Sequence, residues 1–251
     1  MAKQLLILGG TGEAREIAEL AAAELGPRLR VLTSLAGRTA EPAPVVGEVR
    51  RGGFGGVAGL AGYLREAGID FLIDATHPFA AQISRHAAEA AAVTGVPRLA
   101  LVRPPWRPQP DDRWTEVDDA AAAAAALAPD HRRVWLTVGA GDLAAFADRS
   151  DTWFLVRRVD TPPEPLPLAH CRLIVGRGPF DLENERRLIA EHRIGALICR
   201  ASGGPAAEAK LVAAREASLP VIMIRRPPPP PGPIVHTPAD AAAWLRDALV
   251  P

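Results

Sequence analysis

Three short stretches combine residue types that could do chemistry. The first is Asp74-Ala75-Thr76-His77-Pro78-Phe79, where a carboxylate, a hydroxyl and an imidazole follow the apolar run from Ile69 to Ile73. His77 could donate a proton or bind a carboxylate, and Thr76 could bond a cofactor. A structural use is also open, with Asp74 or Thr76 capping the helix whose first turn carries Pro78. The second stretch is Gly9-Gly10-Thr11-Gly12-Glu13, which follows Leu5-Leu6-Ile7-Leu8 and runs into helix-forming sequence. A strand, a glycine turn and a helix in that order aim free N–H groups and the helix dipole at an anion. The full dinucleotide pattern G-x-G-x-x-G is not met, because Arg15 holds the place of its last glycine. The third stretch is Ser202-Gly203-Gly204, with open backbone N–H groups before a helix. No base accompanies Ser202 in a G-x-S-x-G setting, so it reads as a carboxylate cradle and not a nucleophile.

The loop after the second strand bears on the cofactor. An NAD site usually places an acidic residue there for the ribose hydroxyls, whereas this chain offers Thr33, Ser34 and Arg38. Those side chains suit the extra phosphate of NADP. Tyr63, the only tyrosine, falls on a helix and reads as packing.

Composition narrows the class. The chain has 251 residues, 48% of them hydrophobic, which is ample for one large or two small domains with a buried core. The apolar start is too short for a signal peptide or a membrane span, so a cytoplasmic protein is expected. Cys171 and Cys199 lie far apart without zinc-like spacing and read as buried reduced thiols; no metal is implied. Acidic and basic residues balance at 29 each, which argues against general nucleic-acid binding. Only Lys3 and Lys210 are lysines, so 27 of the basic residues are arginine. Codon bias explains such an excess, and so does recognition of carboxylates or phosphates by the planar guanidinium.

The elements that must position these loops alternate between strand and helix, which predicts an α/β fold with parallel, doubly wound sheets. The second half repeats the first. Gly10 and Gly12 match Gly139 and Gly141, Phe54 matches Phe180, Ile69 to Ile73 match Ile194 to Ile198, and Arg103-Pro104-Pro105 matches Arg226-Pro227-Pro228, all in one order. Two Rossmann-like units are therefore expected, 1–129 and 130–251, joined near Pro129 and Asp130. Ligands in such sheets lie at the carboxyl ends of the strands, where the three stretches fall. The proline-rich crossings at Pro104 to Pro110 and Arg226 to Gly232 are stiff and extended, about 3.1 Å per residue. Each could carry its last strand, near Trp114 to Val117 or Ile234 to Thr237, to the opposite unit's sheet.

Gly9-Gly10-Thr11-Gly12-Glu13-Ala14, Ser34-Leu35-Ala36-Gly37-Arg38, Gly52-Gly53-Phe54-Gly55-Gly56, Asp74-Ala75-Thr76-His77-Pro78-Phe79-Ala80 and Ser202-Gly203-Gly204 together resemble the precorrin-6A reductases of cobalamin biosynthesis. The likeness spans essentially the whole chain, and one departure is Arg200, where many members carry lysine. What it implies is NADPH-dependent reduction of one double bond of a tetrapyrrole, by hydride transfer to a ring carbon and protonation of its neighbour. A flat apolar ring fringed with carboxylates also gives the arginine excess a use. On this reading the first unit holds NADPH through Gly9, Gly10, Thr11, Gly12, Glu13, Ser34, Arg38, Phe54 and Thr76. Asp74 and His77 are the expected catalytic residues. Gly139, Gly141, Arg200, Ser202, Gly203 and Gly204 meet the precorrin in a cleft between the units. The partners expected are the tetrapyrrole and, transiently, neighbouring enzymes of the pathway, with no nucleic acid and no membrane. The rival is an NADP-binding sensor without turnover; a methyltransferase of the same pathway fits Ser34 and Arg38 poorly.

Overall fold

The computed structural model describes residues 2–37 and 43–249. Arg38, expected at the cofactor, lies outside them. The chain forms two compact units, Met1–Pro104 with Pro227–Pro251, and Pro105–Arg226. The two sequence repeats meet near Pro129, but the compact units divide one strand earlier in each repeat.

The first unit contains β1 (Lys3–Leu8), α1 (Gly12–Leu25), β2 (Leu29–Leu35), β3 (Glu48–Arg51), α2 (Gly56–Glu66), β4 (Phe71–Asp74), α3 (Ala81–Thr94) and β5 (Arg98–Leu101). The second contains β6 (Arg113–Val117), α4 (Ala120–Ala125), β7 (Arg133–Thr137), β8 (Trp153–Arg158), β9 (Cys171–Val175), α5 (Leu182–Glu191), β10 (Ala196–Arg200), α6 (Ala209–Glu216) and β11 (Pro220–Ile224). The chain then returns to the first unit as β12 (Ile234–Val235) and α7 (Pro238–Ala248).

Each unit is a six-stranded sheet, in the orders β12-β5-β4-β1-β2-β3 and β6-β11-β10-β7-β8-β9. All the pairings are parallel. Five strands of each sheet come from one sequence repeat. The sixth comes from the other, since β6 follows β5 in the chain but pairs with β11, while β12 follows β11 but pairs with β5. The exchange expected from the proline crossings is therefore present, and the order is that of a dinucleotide-binding sheet with its last strand traded.

Parallel sheets covered by helices bury both faces, so their strands are continuously apolar. In β1, Leu5 and Ile7 pack under α1 and α7, while Leu6 and Leu8 pack under α2 and α3. Phe71 meets the Trp244 ring of α7 edge-on at 5.8 Å, seating the returning helix on the first sheet. In the second unit Trp135, Leu155, Leu197, Val221 and Met223 build the matching layer with Leu211 and Ala214. Both cysteines are free thiols. Cys199 is buried, but Cys171, expected inside, is exposed on β9, an edge strand of its sheet. No helix among the described residues is long and apolar enough to cross a membrane.

Candidate functional site

At the carboxyl edge of the first sheet, backbone bonds knit the predicted loops into one surface. Gly9 N–H donates to Ser34 O at 2.9 Å, Gly52 N–H to Leu35 O at 2.9 Å, and Ala75 N–H to Leu8 O at 3.0 Å. Thr11 serves twice: its hydroxyl donates to Ala75 O at 2.7 Å and accepts Ala14 N–H at 3.1 Å, capping α1. The turn needs Gly10, whose φ of +106° few side chains tolerate. Among the described residues, the N–H groups of Gly10, Thr11 and Gly12 meet no acceptor, and they stand at the start of a 14-residue helix. That cradle fits a phosphate.

Glu13 sits in the first turn of α1, and Arg103 Nη2 lies 3.1 Å from its Oε2. The guanidinium offsets a carboxylate that would otherwise repel an incoming phosphate.

Ser34 is buried at the end of β2, and in the β2–β3 register it stands beside Arg50. The Arg50 guanidinium is braced by Gly52 O at 2.6 Å and Gly53 O at 2.7 Å, and reaches Ser34 Oγ at 3.5 Å. It also lies 3.9 Å over the Phe54 ring, which packs on Tyr63 at 5.3 Å. Arg50 is the residue that reading the sequence missed. Its signal is the β2–β3 register, which brings it beside Ser34 across sixteen positions of chain.

In the loop after β4, Asp74 is buried, and its Oδ1 accepts both the N–H and the hydroxyl of Thr76, at 3.2 and 2.7 Å. Thr76 Oγ1 is 3.2 Å from Ser84 Oγ. Neither Asp74 nor Thr76 caps α3, whose N-cap is Ala80 without a side-chain bond, so the capping alternative is not what the loop uses. His77 Nδ1 accepts Phe79 N–H at 3.2 Å, which leaves the ring proton on Nε2. His77 is half-buried, not enclosed in the core.

The second sheet carries the other predicted residues at its own carboxyl edge. Asp142 Oδ2 accepts Gly139 N–H at 3.3 Å and Arg200 Nε at 2.7 Å. The Arg200 guanidinium lies so close over Gly139 that a Cβ there would clash with its Nη2. Gly141 follows in a short 3-10 segment, Ala140–Phe146, where the first unit has a full α-helix. Ser202 N–H donates to Arg200 O at 2.7 Å, its hydroxyl to the same oxygen at 3.3 Å, and Gly203 is buried behind it. The helix expected directly after this loop starts later. A 3-10 turn at Pro205–Ala207 comes first, entered from Gly204 with a φ of +74° and with Pro205 in its first turn.

Twin parallel sheets in dinucleotide-binding strand order, the first with an amide cradle beside a serine and an arginine, define a nucleotide-dependent enzyme of the Rossmann class. The family can be named more closely. The model for "Precorrin-6x reductase CbiJ/CobK" matches residues 4–246. The chain is 47% identical over 243 residues to the precorrin-6A reductase of Rhodococcus erythropolis, covering 96% of this chain and 97% of that protein. It is 44% identical over 244 residues to that of Rhodobacter capsulatus, covering 97% and 96%. A solved structure described as CobK precorrin-6A reductase superposes with a TM-score of 0.93 at 44% identity, over 99% of this chain and 98% of that one. The chain belongs to the precorrin-6x reductase family.

Proposed function

We propose that the chain is a cytoplasmic enzyme that reduces one double bond of precorrin-6A with NADPH. The observation that carries the cofactor is the amide cradle of Gly10, Thr11 and Gly12 at the mouth of α1, with Ser34 and Arg50 one and two strands away in the same sheet. The cradle takes the pyrophosphate, and Thr11 keeps its shape by bonding Ala75 O. Ser34 and Arg50, with Arg38, hold the adenosine 2′-phosphate, a dianion that a braced guanidinium meets with charge-assisted bonds. Phe54 supports the Arg50 guanidinium from below.

The reduced nicotinamide supplies the hydride. What remains for the protein is orientation, charge and proton control. On this reading His77, whose Nδ1 accepts Phe79 N–H, donates a proton or bonds a carboxylate of the substrate. Asp74 acts through Thr76, whose hydroxyl and amide it fixes, and is a positioning residue for that loop. In the second unit Arg200, oriented by Asp142, and the backbone of Ser202, Gly203 and Gly204 are offered to the substrate's carboxylates, with Gly139 and Gly141 lining the adjoining turn.

The test is anaerobic incubation with precorrin-6A while NADPH absorbance is followed. One NADPH oxidised per precorrin consumed supports the reading, and binding without oxidation leaves the sensor. His77→Ala is expected to abolish most turnover while the Tm is retained; full turnover with a Tm lowered by several degrees would make His77 a structural residue.

A further inference from the structure

The loop Ala201–Gly204 cannot hold its own shape. Gly203 and Gly204 both adopt positive φ, +69° and +74°, and neither N–H donates to another described residue. Two successive residues without side chains leave a backbone with many alternative conformations, so the observed one must be fixed from outside.

The restraints come from the two ends of the second unit. Trp106 Nε1 donates to Gly204 O at 2.8 Å, and Arg226 Nε donates to Ala201 O at 3.0 Å. Trp106 is the second residue of that unit and Arg226 its last, so the entering and leaving chain grip opposite flanks of one loop. A buried lysine supports the grip: Lys210 Nζ lies 4.8 Å from the centre of the Trp106 ring and donates to Ala207 O at 2.6 Å. Ala201 itself is anchored by its N–H to the O of Ile224, the last residue of β11, at 2.8 Å.

We infer that Trp106 and Arg226 are positioning residues for substrate binding: by holding the carbonyls of Ala201 and Gly204 they keep the Gly203 and Gly204 amides set to receive a carboxylate of the tetrapyrrole. The inference rests on the reading of this loop as a carboxylate cradle, and deepens it by naming what shapes the cradle.

Steady-state kinetics with separately varied precorrin-6A and NADPH test it. Trp106→Phe keeps an aromatic ring and removes the donor, and Arg226→Met removes the other. Each is expected to raise KM for precorrin-6A about two- to tenfold, the worth of one hydrogen bond, with kcat, KM for NADPH and Tm little changed. Arg226→Lys, which retains a donor, is expected to recover part of the loss. Gly203→Ala strains the loop directly and serves as the reference. If Gly203→Ala raises KM for precorrin-6A while Trp106→Phe and Arg226→Met do not, the tether is refuted and the cradle stands. If Gly203→Ala leaves that KM unchanged, the cradle reading fails and takes the tether with it. A fall in Tm with kcat and both KM values disturbed together would reduce Trp106 and Arg226 to ordinary packing.

Discussion

The glycine turn after β1 presents open backbone amides, while the matching turn after β7 is covered by an ion pair. In the first unit the glycine turn enters a 14-residue helix, and its amides meet no described acceptor. The matching turn of the second unit enters a 3-10 segment, and there Asp142 takes the Gly139 amide while Arg200 covers it. Strand registers carry the contrast further. The β1–β2 and β7–β8 registers place Arg157 where the first unit has Ser34, and Arg157 forms a two-point ion pair with Glu185 at 2.7 and 3.0 Å. Both units stack an arginine on the repeated phenylalanine, Arg50 on Phe54 at 3.9 Å and Arg157 on Phe180 at 4.0 Å. The two arginines come from different strands and have different partners. The two sheets thus share a frame, while charge placement leaves amides open at one glycine turn and covers them at the matching turn of the other.

The largest effect expected from this contrast is on stability. Arg157 and Glu185 are 8% and 1% exposed, so Arg157→Ala would leave a buried carboxylate unpaired, a loss of about 3–5 kcal/mol. Urea unfolding should show it, and replacing the pair together, Arg157→Met with Glu185→Leu, should recover most of the loss. Arg50→Ala, which strands no buried charge, should stay within about 1 kcal/mol of the parent protein. Equal losses at the two arginines would erase the distinction between the units.

Cofactor affinity should show the reverse order. A charge-assisted bond to the 2′-phosphate contributes about 1.5–3 kcal/mol, so Arg50→Ala should weaken NADPH roughly ten- to a hundredfold and leave NADH within a small factor. Arg38→Ala belongs in the same titration. If only Arg38 changes the NADPH-to-NADH ratio, Arg50 is a brace for the glycine cluster and not a phosphate ligand.

A smaller effect separates the two glycine turns. Gly10→Ala forces a side chain into a left-handed conformation at about 1–2 kcal/mol, which should weaken NADPH roughly five- to thirtyfold. A Cβ at Gly141 meets nothing within 4 Å, so Gly141→Ala should leave NADPH affinity within about twofold. Loss of NADPH binding at Gly141 would place the nucleotide on the second unit as well.

The smallest effect is on acid stability. Asp70 N–H bonds Gln4 O as Gly195 N–H bonds Arg133 O, but Asp70 adds a carboxylate that Gly195 lacks. Burial raises the Asp70 carboxyl, and bonds from Lys3 and the Gln4 amide outweigh it, so the group titrates below its usual value. A folded-state value lowered in this way contributes stability above the unfolded carboxyl range that is lost as pH falls through the folded value. Asp70→Asn should therefore flatten the fall of Tm below about pH 4. An unchanged acid limb would show that the charge difference between the two units does not reach their stability at this position.

Much of this architecture is written locally. The apolar runs of β1, β4, β7 and β10, the glycine turn with Thr11 as cap, and the stiff proline crossings that trade the sixth strands all rest on short-range chemistry: hydrophobic patterning, side-chain capping and the fixed backbone angle of proline. The family string around His77 was legible for the same reason, because it is contiguous. What tertiary structure alone decided are the partners of charges. Arg50 meets Ser34 only through the β2–β3 register, Arg103 reaches Glu13 across ninety positions, and Asp142 captures Arg200 across fifty-eight. In a chain with 27 arginines and 29 carboxylate side chains, sequence allows hundreds of such pairs. Ion pairing has no periodicity to read, and only the folded sheet brings two particular charges within a few ångströms and out of water.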